Sequence, residues 1–243
     1  MKIKLKISNS NLSQEQKEAM WATYCKYYDC EKAYFMSRIA QHNYFILFLR
    51  NEEIIGFTGI KKDVIKNGNT KNTVVGLAMT VIDKEYRNKA LIQRAVYKVY
   101  QREFIQNPFR NIFVWSVAAT YKPYLVFAKG MEIFYPNVDV NMPEEYKMLK
   151  KTICEKHFEE YNLDKNLVYI KGFKVTDSSV LINEEKDETV DKDILYYKSL
   201  YFSGRHIENR EIKGVLTLAP MNINNLFYWA SKVIQKKFKM KIF

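Results

Sequence analysis

Cysteine and histidine are scarce, and their scarcity excludes the most easily recognised frameworks. Cys25, Cys30 and Cys154 form neither an even set for a disulfide scaffold nor a Cys-x-x-Cys ligand pair, and His42, His157 and His206 lie far apart in the chain. No metal centre is expected from such spacing. Long apolar runs are missing as well: no stretch approaches the roughly 20 residues that span a bilayer, and the start, MKIKLKISNS, lacks the continuous apolar segment of a secretory signal. Acid is in short supply, with 27 Asp and Glu against 39 Lys and Arg. The chain holds no internal repeat and no low-complexity segment. From these absences we expect a reduced, cytoplasmic protein without a transmembrane segment.

With 243 residues the chain can bury one sizeable core, and it exceeds the roughly 100–200 residues of a common single domain. One domain with a C-terminal elaboration is the expected organisation. Hydrophobic residues make up 47% and charged residues 27%, the balance of a folded protein rather than a disordered one. The net charge of +12 favours an anionic partner: a phosphorylated cofactor, an acidic carrier protein, a nucleic acid or a membrane surface. A solvated basic surface is the plainer alternative.

Along the chain, alternating Lys with Ile and Leu over residues 1–7 suits an edge strand. Ser13, with Glu15 and Gln16 after it, marks the start of a helix, and a second helix is expected over 31–40. Residues 44–49 and 54–60 read as two antiparallel strands, and Asn67-Gly68 as the turn of a further hairpin between 55–65 and 73–82. Gly56, Gly59 and Gly76 inside these strands suggest bulges or close approach to the backbone. A polar loop over 83–89 leads to a helix over 90–106, stopped by Asn107-Pro108. A strand over 112–119 and a short helix over 121–129 follow. Beyond Pro136 the pattern predicts a helix over 143–161, strands over 167–175, 194–202 and 214–218, a charged loop over 183–193 and an amphipathic helix from Ile223. That last helix carries a basic tail at Lys232, Lys236, Lys237, Lys239 and Lys241. Phe227, Trp229, Val233, Ile234 and Phe238 are expected to pack it against a sheet. The order of elements predicts an α/β protein with a mixed sheet.

The stretch Ile82-Asp83-Lys84-Glu85-Tyr86-Arg87-Asn88-Lys89-Ala90-Leu91-Ile92 resembles the segment after the fourth strand in the GNAT superfamily of N-acetyltransferases. The family's pattern there is Val-x-Pro-x-x-Arg/Gln-x-x-Gly-x-Gly/Ala, opening a long helix. Its physical logic is that main-chain N–H groups at a helix N-terminus meet a pyrophosphate. This chain keeps the arginine, Arg87, and the spacing, but has Asn88, Ala90 and Ile92 where small residues or glycine are usual. Arg87 and Lys89 can partly compensate by pairing with phosphate. A plain basic loop before a helix is the alternative.

Residues 114–130 resemble the family's fifth strand and fourth helix, where Asn-x-x-Ala-x-x-Leu-Tyr is common. Thr120, Pro123, Val126 and Phe127 fall on those positions. Phe127 stands where many members place the tyrosine that protonates the departing thiolate, and a phenyl ring cannot donate. Tyr124, three residues earlier on nearly the same helix face, is the alternative hydroxyl, or else a packing tyrosine. Ser116 and Thr120 could relay a proton through water, or be satisfied core hydroxyls.

The resemblance covers about half of the chain. It implies a GNAT-like acyl-donor-binding core over 1–136 and a C-terminal α/β extension over 137–243 packed on it. It implies strands that part at Ile82 and Ala119, freeing main-chain groups to clasp a pantetheine arm. The donor would be acyl-CoA or the acyl-phosphopantetheine of an acyl carrier protein. Its contacts would be Thr80, Val81, Ile82, Arg87, Asn88, Lys89, Ala90 and Leu91, and the acceptor an amine on a small molecule or peptide. Tyr124, Ser116 and Thr120 would be the catalytic candidates. Two other readings are a non-catalytic module of the same fold and a nucleic-acid-binding protein. The latter rests on charge and 15% aromatic content, without a basic stripe interleaved with aromatics outside the C-terminal tail.

Overall fold

A computed structural model describes residues 3–67, 70–171, 174–175, 189–203 and 211–239. Gly68 of the expected turn, residues 183–188 of the expected charged loop, His206, Lys241 and the side chains of 233–239 lie outside the described residues.

Eight strands form one mixed sheet: β1 (Lys4–Asn9), β3 (Tyr44–Arg50), β4 (Glu53–Asn67), β5 (Thr70–Ile82), β6 (Asn111–Ala118), β10 (Glu211–Pro220), β8 (Leu167–Lys171) and β7 (Glu160–Asn162), side by side in that order. Only β5 and β6 run parallel; every other neighbouring pair is antiparallel. A separate short ladder joins β2 (Tyr28–Asp29) to β9 (Lys174–Val175). The parallel step needs a crossover, supplied by α3 (Leu91–Gln106). The α/β class with a mixed sheet is therefore the observed one. The sheet continues past β6 into strands drawn from the C-terminal half, so that half extends the same layer.

Helices cover both faces. On one lie α1 (Gln14–Tyr24) and α2 (Lys32–Ala40), over Phe45, Leu47, Leu49 and Phe57, and further along α5 (Glu144–His157), over Phe113, Trp115 and Leu218. The other face carries α3, α4 (Tyr121–Ala128) and α6 (Lys192–Phe202), over Ile46, Val75, Leu77 and Val114. The alternation of inward residues along β3, odd numbers to one face and even to the other, is the period of two that a strand imposes. Full burial of one such Phe or Ile contributes about 1.5–3 kcal/mol. The start of α1 matches the sequence: Gln16 N–H donates to Ser13 Oγ at 3.2 Å and Ser13 N–H to Gln16 Oε1 at 3.0 Å, a reciprocal cap.

Three expectations need correction. Residues 194–202 are not a strand: Lys192–Phe202 is helical, opened by Asp191, whose carboxylate accepts from Asp193 N–H at 3.0 Å. Tyr197 and Tyr201, one helical turn apart, stack at 5.5 Å and are both buried, so the period of 3.6 overrides the β preference of an aromatic run. The helix expected over 143–161 stops at His157, and Tyr161 belongs to β7. In the closing helix α7 (Ile223–Lys239), Trp229 stacks on Tyr97 of α3 at 5.0 Å and lines a cavity with Lys4 and Leu5 of β1, while Phe227 is not packed but 70% exposed. Among the described residues no helix is long and apolar enough to cross a membrane.

Candidate functional site

β5 and β6 pair in parallel register from Asn72 opposite Asn111 up to Leu77 opposite Ser116, and there the pairing ends. β5 turns aside through a bulge at Met79, whose φ is 49°, and stays with β4, where Ala78 faces Gly59 and Val81 faces Phe57. β6 instead follows β10, with Val117 opposite Leu216 and Ala118 opposite Val215. The sheet therefore forks. Among the described residues no strand pairs with 78–82 on their β6 side, and free main-chain groups seek hydrogen bonds.

The loop after the fork leads through a single 3₁₀ turn, Lys84–Tyr86, into α3. Asp83 anchors its start, accepting from Lys26 Nζ at 2.8 Å and Tyr27 Oη at 2.8 Å. Burial raises the Asp83 pKa, but the hydrogen bonds from Lys26 and Tyr27 outweigh it and hold the carboxyl below the usual range. Asn88 and Ala90 both take left-handed backbone, φ 62° and 52°. These are conformations that glycine adopts without strain, which gives a physical reason for glycine in the family pattern. Ala90 makes no side-chain cap, so it leaves the first N–H groups of α3 uncapped beside an exposed loop.

Several expected donor contacts sit around this loop, though their side chains are engaged elsewhere. Arg87 Nε donates to the Ile82 carbonyl at 2.9 Å, and its guanidinium lies 4.4 Å from the Tyr27 ring centroid. Lys89 lies over the Tyr86 ring. Thr80 shares a 2.7 Å hydrogen bond with buried Thr58, while Val81 and Leu91 point their side chains into the core. Any contact from Val81 or Leu91 would thus be through the main chain.

The hydroxyl candidates divide. Ser116 stands at the last paired position of the fork, its Oγ 3.4 Å from the Leu77 carbonyl. Thr120 precedes α4 in extended backbone without capping it. Tyr124 is fully buried, donates to the Pro136 carbonyl at 3.1 Å and packs against Phe134 and Tyr197. Burial drives its pKa well above the ordinary tyrosine range. The structure brings Ser116 to the fork and commits the Tyr124 hydroxyl to the core.

Four side chains that sequence reasoning passed over gather on the α1, α2 and α5 face of the fork. The His42 ring covers Gly59: a Cβ there would lie 2.7 Å from Nε2. The Trp115 indole covers Gly76, with Cε2 2.3 Å from where a Cβ would stand. Lys61 faces Gly76, which in turn faces Trp115, so the three form one row across β4, β5 and β6. Arg38 of α2 stands one turn before His42: its carbonyl accepts from His42 Nδ1 at 2.7 Å, and its Nη1 donates to Tyr34 Oη at 3.2 Å. The only signal in the sequence was the pair of glycines, since a strand glycine often marks a close approach. Among the described residues no group of three or more His, Cys, Asp or Glu is placed to hold a metal.

The sheet forks beside the start of α3, the arrangement that the resemblance to the GNAT superfamily implied. No protein-family model matches the sequence, and no curated protein matches it. Solved structures that resemble it include an aminoglycoside acetyltransferase from an uncultured soil metagenomic sample, at 12% identity and TM-score 0.40, covering 59% of this chain and 99% of that one. A second aminoglycoside acetyltransferase from such a sample, in complex with sisomicin, is similar at 13% identity and TM-score 0.41, over 58% of this chain and 93% of that one. A GNAT family N-acetyltransferase from Escherichia coli, in complex with CoA, is similar at 14% identity and TM-score 0.39, over 54% and 69%.

Proposed function

We propose that this protein transfers an acyl group from a pantetheine thioester to an amine. The observation that carries the reading is the fork itself: a parallel pair whose pairing stops at Leu77 and Ser116, with main-chain groups past that point lacking a strand partner among the described residues. A pantetheine arm carries two amides and can lie against β5 as an added strand would. Its thioester carbonyl then reaches the fork. There the amine nitrogen bonds to the acyl carbon, the carbon–sulfur bond breaks, and the proton shed by the amine ends on the departing sulfur. Positioning supplies most of the rate, with a main-chain N–H of β5 on the developing oxyanion and Ser116 as the nearest side-chain hydroxyl.

The donor is acyl-CoA or an acyl carrier protein. The N–H groups at the start of α3 that Ala90 leaves uncapped, with Arg87 and Lys89 beside them, favour a phosphate-bearing donor of either kind. Thermal unfolding separates the two. A donor at 100 times its Kd adds about 2.7 kcal/mol of stability, or about 5–10 °C for a chain of this size. Acetyl-CoA and longer acyl-CoAs are expected to give that shift and Arg87→Ala to reduce it. A shift with acyl carrier protein alone assigns the carrier route; no shift with either contradicts the proposal.

A further inference from the structure

Arg38, His42 and Lys61 are three basic side chains on one face of the fork, close enough that burial and mutual repulsion act on their titration. Burial, then Arg38, lowers Lys61 to about 8; burial, opposed by the Arg38 carbonyl and reinforced by Lys61 and Arg38, lowers His42 to about 4. The acid that influences Lys61 is Asp63, and that carboxylate is held by His157 Nε2 at 2.7 Å and by Lys156. Positive charge is thus in excess. Buried polar groups normally find partners, yet Arg38 Nε, His42 Nε2 and Trp115 Nε1 are all buried with no hydrogen-bond partner among the described residues. Three orphan nitrogens on one face of the sheet call for a ligand with oxygen and nitrogen to share.

The register of the sheet sets the spacing of the two glycines on which His42 and Trp115 rest. His42 Nε2 lies over Gly59 and Trp115 Nε1 beside Gly76, and these glycines are diagonal neighbours on β4 and β5. Such positions are about 7–8 Å apart, the span of a small group that accepts from one side and donates to the other. Each nitrogen has a defined sense. Indole N–H only donates. His42 gives its Nδ1 proton to the Arg38 carbonyl, so Nε2 keeps a lone pair and accepts. Gly59 faces Ala78, the first residue of β5 beyond its pairing with β6, so the accepting end lies nearest the fork.

We propose that Arg38, Lys61 and the Trp115 indole N–H recognise an oxyanion on the acyl acceptor, while His42 Nε2 accepts from its amine. The acceptor is thereby an amine bearing an acidic group, a carboxylate or a phosphate, rather than a simple or polycationic amine. Its role as acceptor rests on the acyl-transfer reading; the anion site itself does not. The His42 and Trp115 rings rest directly on Gly59 and Gly76, and any larger residue there would displace them.

The test uses the full chain, ¹⁵N-labelled, without any acyl donor. The Trp115 indole N–H resonance, assigned by Trp115→Phe, is followed while glycine, acetate, O-phosphoethanolamine, inorganic phosphate or methylamine is added. Saturable shifts with glycine and acetate assign a carboxylate, and shifts with the two phosphates assign a phosphate. Methylamine is expected to produce none. Lys61→Met and Arg38→Met are each expected to weaken the effective ligand at least tenfold, with the fold checked by the remaining amide spectrum. No saturable shift with any oxyanion, or a shift unchanged in both variants, overturns the proposal. If the anion binds but no acyl donor does, the site stands and the acyl-transfer reading falls.

Discussion

Ala90 holds a left-handed backbone that costs an alanine roughly 1–2 kcal/mol, and glycine occupies it freely. Ala90→Gly is therefore expected to raise stability by about 1 kcal/mol, measured by urea unfolding, against the ordinary direction for an Ala to Gly change. A loss of stability would show that the loop is not left-handed at that point. The same residue shows what a single sequence can and cannot tell. Its place in an Arg-x-x-Gly-x-Gly/Ala pattern was legible, because spacing from the strand end to the helix start is local. That Asn88 also turns left-handed was not, although asparagine is among the residues that tolerate it. Arg87, read as a phosphate contact, proved to be engaged with Ile82 and Tyr27, and no local spacing foretells a partner 60 residues back.

At the scale of elements, the strands and helices of the first 136 residues were readable because each carries its own punctuation. Ser13 with Gln16 caps α1, a short turn separates β3 from β4, and Asn107-Pro108 ends α3. Helix α6 was not readable, because Ile194, Leu195, Tyr196 and Tyr197 combine β preference with a helical period only two turns long. The fork was expected from resemblance alone. Its immediate cause is the bulge at Met79, which keeps β5 with β4 while β6 follows β10. Arg38, His42, Lys61 and Trp115 could not be grouped from sequence, since they come from α2, the turn before β3, β4 and β6. Gly59 and Gly76 marked the place without naming what approached.

For the whole molecule, buried bases make stability depend on pH with a definite sign. Lys150 is fully buried, donates to Asn166 Oδ1 at 2.7 Å, and burial lowers its pKa to about 7. The unfolded chain, with Lys near 10.4, binds the proton over an interval where the folded chain does not. Stability therefore rises with pH from about 7 upward. The span is on the order of 4 kcal/mol by pH 10. His42 acts likewise in acid: lowered to about 4 when folded, it makes stability fall as pH drops from about 6.5 toward 4. Tyr24, Tyr44 and Tyr124, all raised by burial, oppose any gain above pH 10. The expected optimum is near pH 9. Lys150→Met is expected to flatten the alkaline rise, as followed by denaturant unfolding between pH 7 and 9.5. An unchanged slope in that variant would assign the rise to other groups.

The acyl-transfer reading depends on free main-chain groups where β5 and β6 separate, and amide hydrogen exchange reads those groups directly. In the protein alone, amides of residues 72–77 are expected to exchange slowly, and those of 78–82 that face β6 quickly. Acyl-CoA or acyl-loaded carrier protein is expected to slow the second set while leaving the first unchanged. Equal protection of both sets in the free protein, or no change at 78–82 with either donor at saturation, would contradict the account.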